Sequence, residues 1–320
     1  MSALDSAGAV AFTAEKHRKN GGRIIRDFRR NNQLYFMIIP VLVFYALFQY
    51  APIYGIVVAF ENYNVAKGIF HSPWVGFRNF VNFFQSAYFS RVFINTILLS
   101  LCYYIFVFPC PIILALLLNE VKNRYFKNIV QTISYLPYFI SLVVVCGLVI
   151  EFTSKGGLIF DIARFFGAKD ISLLLRPELF RVIYTAVTIW TTVGWSSIIY
   201  LAALSTIDSA LYEAAHIDGA GRWKQMWYIT LPGIAPTVTT LLILAIGTFM
   251  NIDFEKVLLL YNPGIYSTAD VISTYVYRSG LTELKFGYSA AVDLFNSLIN
   301  LVMIVFANFF SRKISGHSLW

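Results

Sequence analysis

The chain has 320 residues, of which 58% are hydrophobic and only 13% charged, with a formal net charge of +8. Soluble domains carry roughly 25% charged and about 45–50% apolar residues, so this composition excludes an ordinary soluble protein and defines an integral membrane one. Much of the charge excess is one N-terminal run, Lys16, Arg18, Lys19, Arg23, Arg26, Arg29 and Arg30, which reads as a topology signal or a headgroup contact with membrane lipid; no nucleic-acid module accompanies it, so no nucleic acid is expected as a partner.

Residues 1–33 are polar, with Gly21-Gly22 breaking the run and no apolar core of the kind a cleavable signal peptide needs. The first span is expected over about Leu34–Phe60, with Pro40 and Pro52 inside it. A polar-aromatic connection, Glu61–Val92, leads to the second span, Phe93–Leu118, and a short basic turn carries Lys122, Arg124 and Lys127. The third span is expected over Ile129–Phe152 and the fourth over Phe180–Leu204, separated by Lys155–Leu179. A polar stretch, Glu213–Pro236, precedes a fifth span at Thr237–Ile252. Asp253–Ser289 is another connection, with a turn signal at Asn262-Pro263-Gly264. The sixth span is placed at Ala290–Phe310, before Arg312, Lys313 and a short tail.

Spans of about twenty residues match the thickness of the hydrocarbon core, so the fold class is an all-α integral membrane protein with six transmembrane helices. An even number of spans puts both termini on one side. The N-terminal run, Lys122–Lys127, Arg222, Lys224, Arg312 and Lys313 share that side, which the positive-inside rule makes the cytoplasm. Arg78, Arg91, Lys155, Lys169 and Lys285 lie on the other side, in longer loops diluted by Asp161, Asp170 and Glu283. The domain plan is a cytoplasmic basic segment 1–33, a transmembrane domain 34–310 with a structured loop at 209–236, and a cytoplasmic tail 311–320.

No phosphate-binding Gly-x-x-x-x-Gly-Lys-Ser/Thr loop occurs, so the chain has no usual cradle for ATP. There is no His-Glu-x-x-His motif and no nucleophile elbow, and Cys102, Cys110 and Cys146 lack metal or redox spacing. Neither a metal site nor a catalytic constellation is expected. The span centres also lack the ionisable groups of ion-coupled transporters, since Glu151, Asp253 and Asp293 fall near span ends.

In the polar stretch, Asp208 or Ser209 can cap a short helix over about Ala210–Ile217, with Glu213 and Ile217 on one face. Small residues follow, and Gly219 or Gly221 can take the left-handed turn that ends one helix before the next. The pattern is a helical hairpin standing on two spans. Spacing alone fits a docking surface and a shield for the bundle floor equally.

Glu213-Ala214-Ala215, Asp218-Gly219-Ala220 and Leu231-Pro232 with Pro236 resemble the EAA loop of permease subunits in binding-protein-dependent ABC importers. Val75-Gly76-Phe77-Arg78-Asn79-Phe80 and Asn95-Thr96 are similar to carbohydrate-importer permeases. Asn119-Glu120-Val121, Gln131–Pro137, Asn251–Glu255 and Ser318-Leu319-Trp320 resemble their polysaccharide-type branch. The resemblance covers about residues 30–320, and Asp208 departs from it where many relatives have proline.

The resemblance implies a type I ABC importer permease fold in the bacterial cytoplasmic membrane, without catalytic residues or cofactors of its own. It implies a second homologous permease in a heterodimer, two cytoplasmic ATPases carrying ATP and magnesium, and an extracytoplasmic solute-binding protein. Glu213, Ala214, Ala215, Asp218, Gly219, Ala220, Leu231 and Pro232 would form the coupling element that contacts the ATPase. The implied cargo is an oligosaccharide derived from a polysaccharide, with chains that contain uronic acids and chains that lack them both compatible with the resemblance. Residue types that stack on sugar rings or bond hydroxyls single out Tyr138, Trp190, Trp195, Asn251, Asp253 and Asn296 for its path. Asn251 leads them, because an amide inside an apolar span needs a partner or a water-filled cavity. The rival readings are a secondary transporter or channel working alone, a membrane enzyme, and a permease for a non-sugar solute.

Overall fold

A proline deprives a helix of one hydrogen bond, and its ring collides with the carbonyl four residues earlier. In three places a π turn ends two residues before a proline: Ala46–Tyr50 before Pro52, Tyr103–Val107 before Pro109, and Met226–Thr230 before Pro232. The wider loop lets the next amide reach back five residues, as Phe108 N–H does to the Tyr103 carbonyl at 2.8 Å. Each helix therefore carries on through its proline instead of stopping there.

The computed structural model describes residues 30–167 and 172–315. Among them are six helices long and apolar enough to cross a membrane: Asn32–Phe60, Phe89–Glu120, Leu142–Phe165, Pro177–Ser205, Arg222–Ile246 and Phe286–Lys313. The described residues contain no strand, only an isolated bridge between Glu61 and Trp74. The basic residues from Lys16 to Arg29, the pair Lys169 and Asp170, and Ser318-Leu319-Trp320 lie outside the described residues.

The chain forms two compact units, Met1–Val57 and Val58–Trp320. In the first, helix Asn32–Tyr45 runs into the turn Ala46–Tyr50 with no residue buried. In the second, the fourth span is the axis: 39% of its apolar stretch is buried, against 17–22% for the other four spans of that unit. Its Gly194 lies so close to helix Arg124–Tyr135 that an added Cβ would collide with the Ser134 carbonyl. Three apolar clusters pack this unit. Val145, Phe180 and Val257 centre one, Phe83, Ile272 and Val292 a second, and Ala115, Tyr200 and Ile234 a third.

The second, fourth and sixth spans start and end within a few residues of expectation, but the third and fifth do not. Asn123 caps a separate helix, Arg124–Tyr135, by accepting from the amides of Tyr125 and Phe126. Pro137 then leads a short 3-10 turn, and Ile140 is extended, so the membrane helix starts at Leu142 rather than Ile129. The fifth helix begins at Arg222 instead of Thr237 and ends at Ile246 instead of Ile252. The second arm of the expected hairpin is thus continuous with the fifth span. The π turn at Met226–Thr230 and the tolerance of a helix's first turn for Pro232 explain why.

Other local signals hold. In Val75–Phe80, Gly76 takes φ +58°, and Asn79 Nδ2 donates to the carbonyls of Ala59 (2.9 Å) and Glu61 (3.0 Å). Asn262 Oδ1 accepts from Gly264 N–H at 3.0 Å to close the Asn-Pro-Gly turn.

The connection after the fifth span folds into helices that include Phe254–Leu260 and Ile272–Tyr277. It is tied to the spans through Asp270, whose carboxylate is fully buried. Arg278 grips that carboxylate with two bonds, 3.1 and 2.8 Å, and Arg91 of the second span adds a third at 2.9 Å. Burial disfavours the charged Arg278, but the hydrogen bonds and charge of Asp270 outweigh it and raise the group's pKa.

Candidate functional site

The fifth helix ends at Ile246, and the chain stays non-helical from Asn251 to Asp253 before turning into Phe254–Leu260. Asn251 was expected inside an apolar span; it lies instead beyond the end of one. The break borders a cavity of about 260 Å³ that Asn251, Ile252, Asp253 and Lys256 line together with Ser100, Tyr103, Tyr184, Thr188 and Thr192. A second cavity of about 210 Å³ lies toward Ser196, Ile199, Tyr200 and Leu241, and Tyr103 and Thr192 line both. Tyr184, Thr188, Thr192 and Ser196 are spaced four apart on the fourth span, which puts their hydroxyls in one stripe.

Three amides fix the break. Asn300 Oδ1 accepts from the Met250 amide at 2.8 Å, which orients its side chain so that Nδ2 donates to Asn251 Oδ1 at 3.0 Å. Asn296 Nδ2 donates to the same oxygen at 2.9 Å. With Oδ1 doubly occupied, Asn251 has its Nδ2 left for the cavity, since no partner holds it among the described residues. Asn296 is buried behind Asn251 and supports it rather than lining the cavity.

Asp253 caps the following helix through Oδ1 and the Lys256 amide, 3.2 Å, and its Oδ2 lies 3.0 Å from Lys256 Nζ. That ammonium is buried, donates to Thr188 Oγ1 at 3.2 Å and sits 5.5 Å from the centre of the Tyr184 ring. The cavity wall therefore contains an ion pair whose carboxylate is the more exposed partner, at 42% against 5%. Lys256 carries no signal in sequence, being one lysine in a connection. The Tyr-Thr-Thr-Ser stripe was legible, because hydroxyls every fourth residue in an apolar span share a face.

The aromatic candidates fall elsewhere. Trp195 stacks on Tyr138 with ring centres 4.7 Å apart and an interplanar angle of 5°, and Phe139 meets it edge-on. Neither ring, nor exposed Trp190, lines the two cavities.

At the far end of the fourth span, Asp208 caps helix Ser209–Ile217 by accepting from Ala210 N–H at 2.9 Å. Gly219, at φ +75°, closes that helix: the Ala220 amide bonds Ala215 at 2.8 Å and the Gly219 amide bonds His216 at 3.0 Å. This is a Schellman closure, and only glycine takes its left-handed position without strain. Tyr212 and Thr230 hydroxyls, 3.0 Å apart, pin the short helix to the fifth span. Glu213, Ala214 and Asp218 are exposed, and Ile217 and Trp223 are exposed beside them at 85% and 74%. Leu231 and Pro232 separate from the tip: they start helix Leu231–Ile246, and Leu231 packs on the cluster of Ala115, Tyr200 and Ile234.

A hairpin of this construction in a chain with six membrane-length helices defines a class, and the comparisons agree with it. The chain belongs to the family of binding-protein-dependent transport system inner membrane components, whose model matches residues 107–316. The resemblance to ABC-importer permeases and the six-helix fold it implied are thereby confirmed. Among its relatives, a polygalacturonan/rhamnogalacturonan transport system permease protein of Bacillus subtilis, YteP, is 42% identical over 98% of this chain and 96% of its own length. Protein LplB of the same organism is 41% identical over 91% and 92%. A crystal structure of a bacterial ABC transporter for import of the acidic polysaccharide alginate contains a chain 42% identical to this one. The two superpose with a TM-score of 0.85 over 92% of this chain and 99% of that one.

Proposed function

We propose that this chain is one permease subunit of an ATP-driven importer for an acidic oligosaccharide, working in the bacterial cytoplasmic membrane. The observation that carries the coupling half is the glycine-closed hairpin, which presents Glu213 on a rigid helix anchored to the central span. Lys122, Arg124, Lys127, Arg222, Lys224, Arg312 and Lys313 favour placing the hairpin and both termini in the cytoplasm. There the hairpin seats in a cleft of a separate ATPase, which binds ATP and magnesium; this chain binds neither. Closure of two such ATPases moves the fourth and fifth spans through the Tyr212–Thr230 contact and switches the cavity between sides.

The cargo half draws on relatives named for polygalacturonan, rhamnogalacturonan and alginate. An extracytoplasmic binding protein delivers the cargo, as the alginate importer's structure with a loaded periplasmic protein suggests, and a different, homologous permease completes the path. In this chain Asn251 and Asp253 offer a donor and an acceptor to sugar hydroxyls from the cavity wall. Reconstituted vesicles containing both permeases and the ATPase, supplied with loaded binding protein, provide the test. Gly219→Pro and Glu213→Ala should abolish cargo-stimulated ATP hydrolysis in a permease that stays folded. Full stimulation in both variants would refute the coupling role, and no uptake of any oligouronate by the wild type would refute the cargo.

A further inference from the structure

Two guanidinium groups take the buried carboxylate of Asp270, and a third, Arg181, joins the cluster only through Asn95. Arg278 and Arg91 take its oxygens, and Thr274 Oγ1 donates to Oδ1 at 3.1 Å. Arg181 is left with a neutral partner: its Nη2 donates to Asn95 Oδ1 at 2.9 Å, while Asn95 Nδ2 reaches the Asp270 carbonyl at 3.1 Å. The nearest acid on its own helix, exposed Glu178, forms no ion pair with it among the described residues. The Nε atoms of Arg91 and Arg181 are both buried without an acceptor. Arg181 as a residue is only partly buried, and beyond the bond to Asn95 its guanidinium has further donors that no bond among the described residues takes up, which leaves it capacity for an anionic oxygen.

The position of Arg181 says which anion. It lies seven residues before Thr188 on the fourth span, so it continues the face of the hydroxyl stripe at the end away from the hairpin. Lys256 bonds Thr188, which sets a second cation about 10 Å further along the same helix. One small anion cannot bridge that separation, whereas a chain with repeated carboxylates can engage both. We infer that Arg181, positioned by Asn95 and Asp270, is a carboxylate-recognition residue that selects uronate-bearing cargo on the cavity-facing side of the fourth span. This rests on the importer reading above.

The test uses the complete importer in vesicles, driven by binding protein loaded with oligogalacturonate. Arg181→Gln should raise the concentration of loaded binding protein needed for half-maximal ATPase stimulation by about tenfold, the scale of one charge-assisted hydrogen bond. Arg181→Lys should recover most of that loss, and the control Glu178→Gln should behave as wild type. A wild-type response in Arg181→Gln would overturn the inference. An equal loss of affinity of Arg181→Gln for unloaded binding protein would also overturn it, by assigning the cluster to a protein contact. So would a fall in thermal midpoint in both Arg181 variants, which would make the residue a structural strut. A wild type that does not respond to oligogalacturonate would overturn the cargo reading itself, and the inference with it.

Discussion

Asn300 donates to Asn251 across 3.0 Å while accepting from the backbone of Met250 at 2.8 Å, so one side chain of the sixth span holds two consecutive residues of the break after the fifth. The bond decides which end of the Asn251 amide meets the cavity, and hence what that amide can offer a sugar. Asn251→Asp keeps the oxygen that accepts from Asn296 and Asn300 but removes the donor facing the cavity. It should retain the wild-type fold and weaken cargo stimulation about tenfold, the upper range for one hydrogen bond. Asn300→Leu orphans the buried Met250 amide and should cost about 1–3 kcal/mol, read as a lower thermal midpoint in detergent.

Lys256 and Asp253 form a pair in which one partner is buried and the other half-exposed. Lys256→Met keeps the length of the side chain and leaves Asp253 as a helix cap, so folding should survive. What changes is the carboxylate, which loses the cation that positions it. A double-mutant cycle of Lys256→Met with Asp253→Asn, scored on cargo-stimulated ATP hydrolysis, should show coupling on the order of 1 kcal/mol or more. Additive effects would mean that the pair does not act as a unit.

Asp270 should matter more for stability than any other single carboxylate among the described residues. Asp270→Asn removes the counter-charge of the partly buried Arg91 and Arg278 at a fully buried position, which should cost a few kcal/mol, toward the lower end of about 3–5 kcal/mol for a buried pair. The expected result is loss of folded protein or a large fall in thermal midpoint. Replacing exposed Glu283, whose pair with Lys285 is at the surface, should change stability by less than about 1 kcal/mol.

Sequence reasoning succeeded where a residue's role depends on its immediate neighbours. Asp208 and Gly219 bound the hairpin helix as cap and left-handed closure because those roles require only a side-chain oxygen and a missing Cβ. It failed at the edges of the third and fifth spans. Apolar character alone cannot tell a separate amphipathic helix such as Arg124–Tyr135 from the start of a crossing one. Nor does a proline say whether the helix will widen ahead of it, as at Pro232, or end near it, as at Pro137.

For the candidate sites the division is sharper. By itself the sequence determined the membrane class, the six spans, the helical hairpin and the family, because length, hydropathy and a contiguous motif are properties of order along the chain. Only the tertiary structure brought Asn300 to Asn251 and Lys256 to Thr188, paired Trp195 with Tyr138, and left Arg181 without a counter-ion. Those contacts join residues dozens of positions apart, and the low dielectric of a packed interior makes their pairing decisive. No local pattern records which distant partner a buried polar group will find.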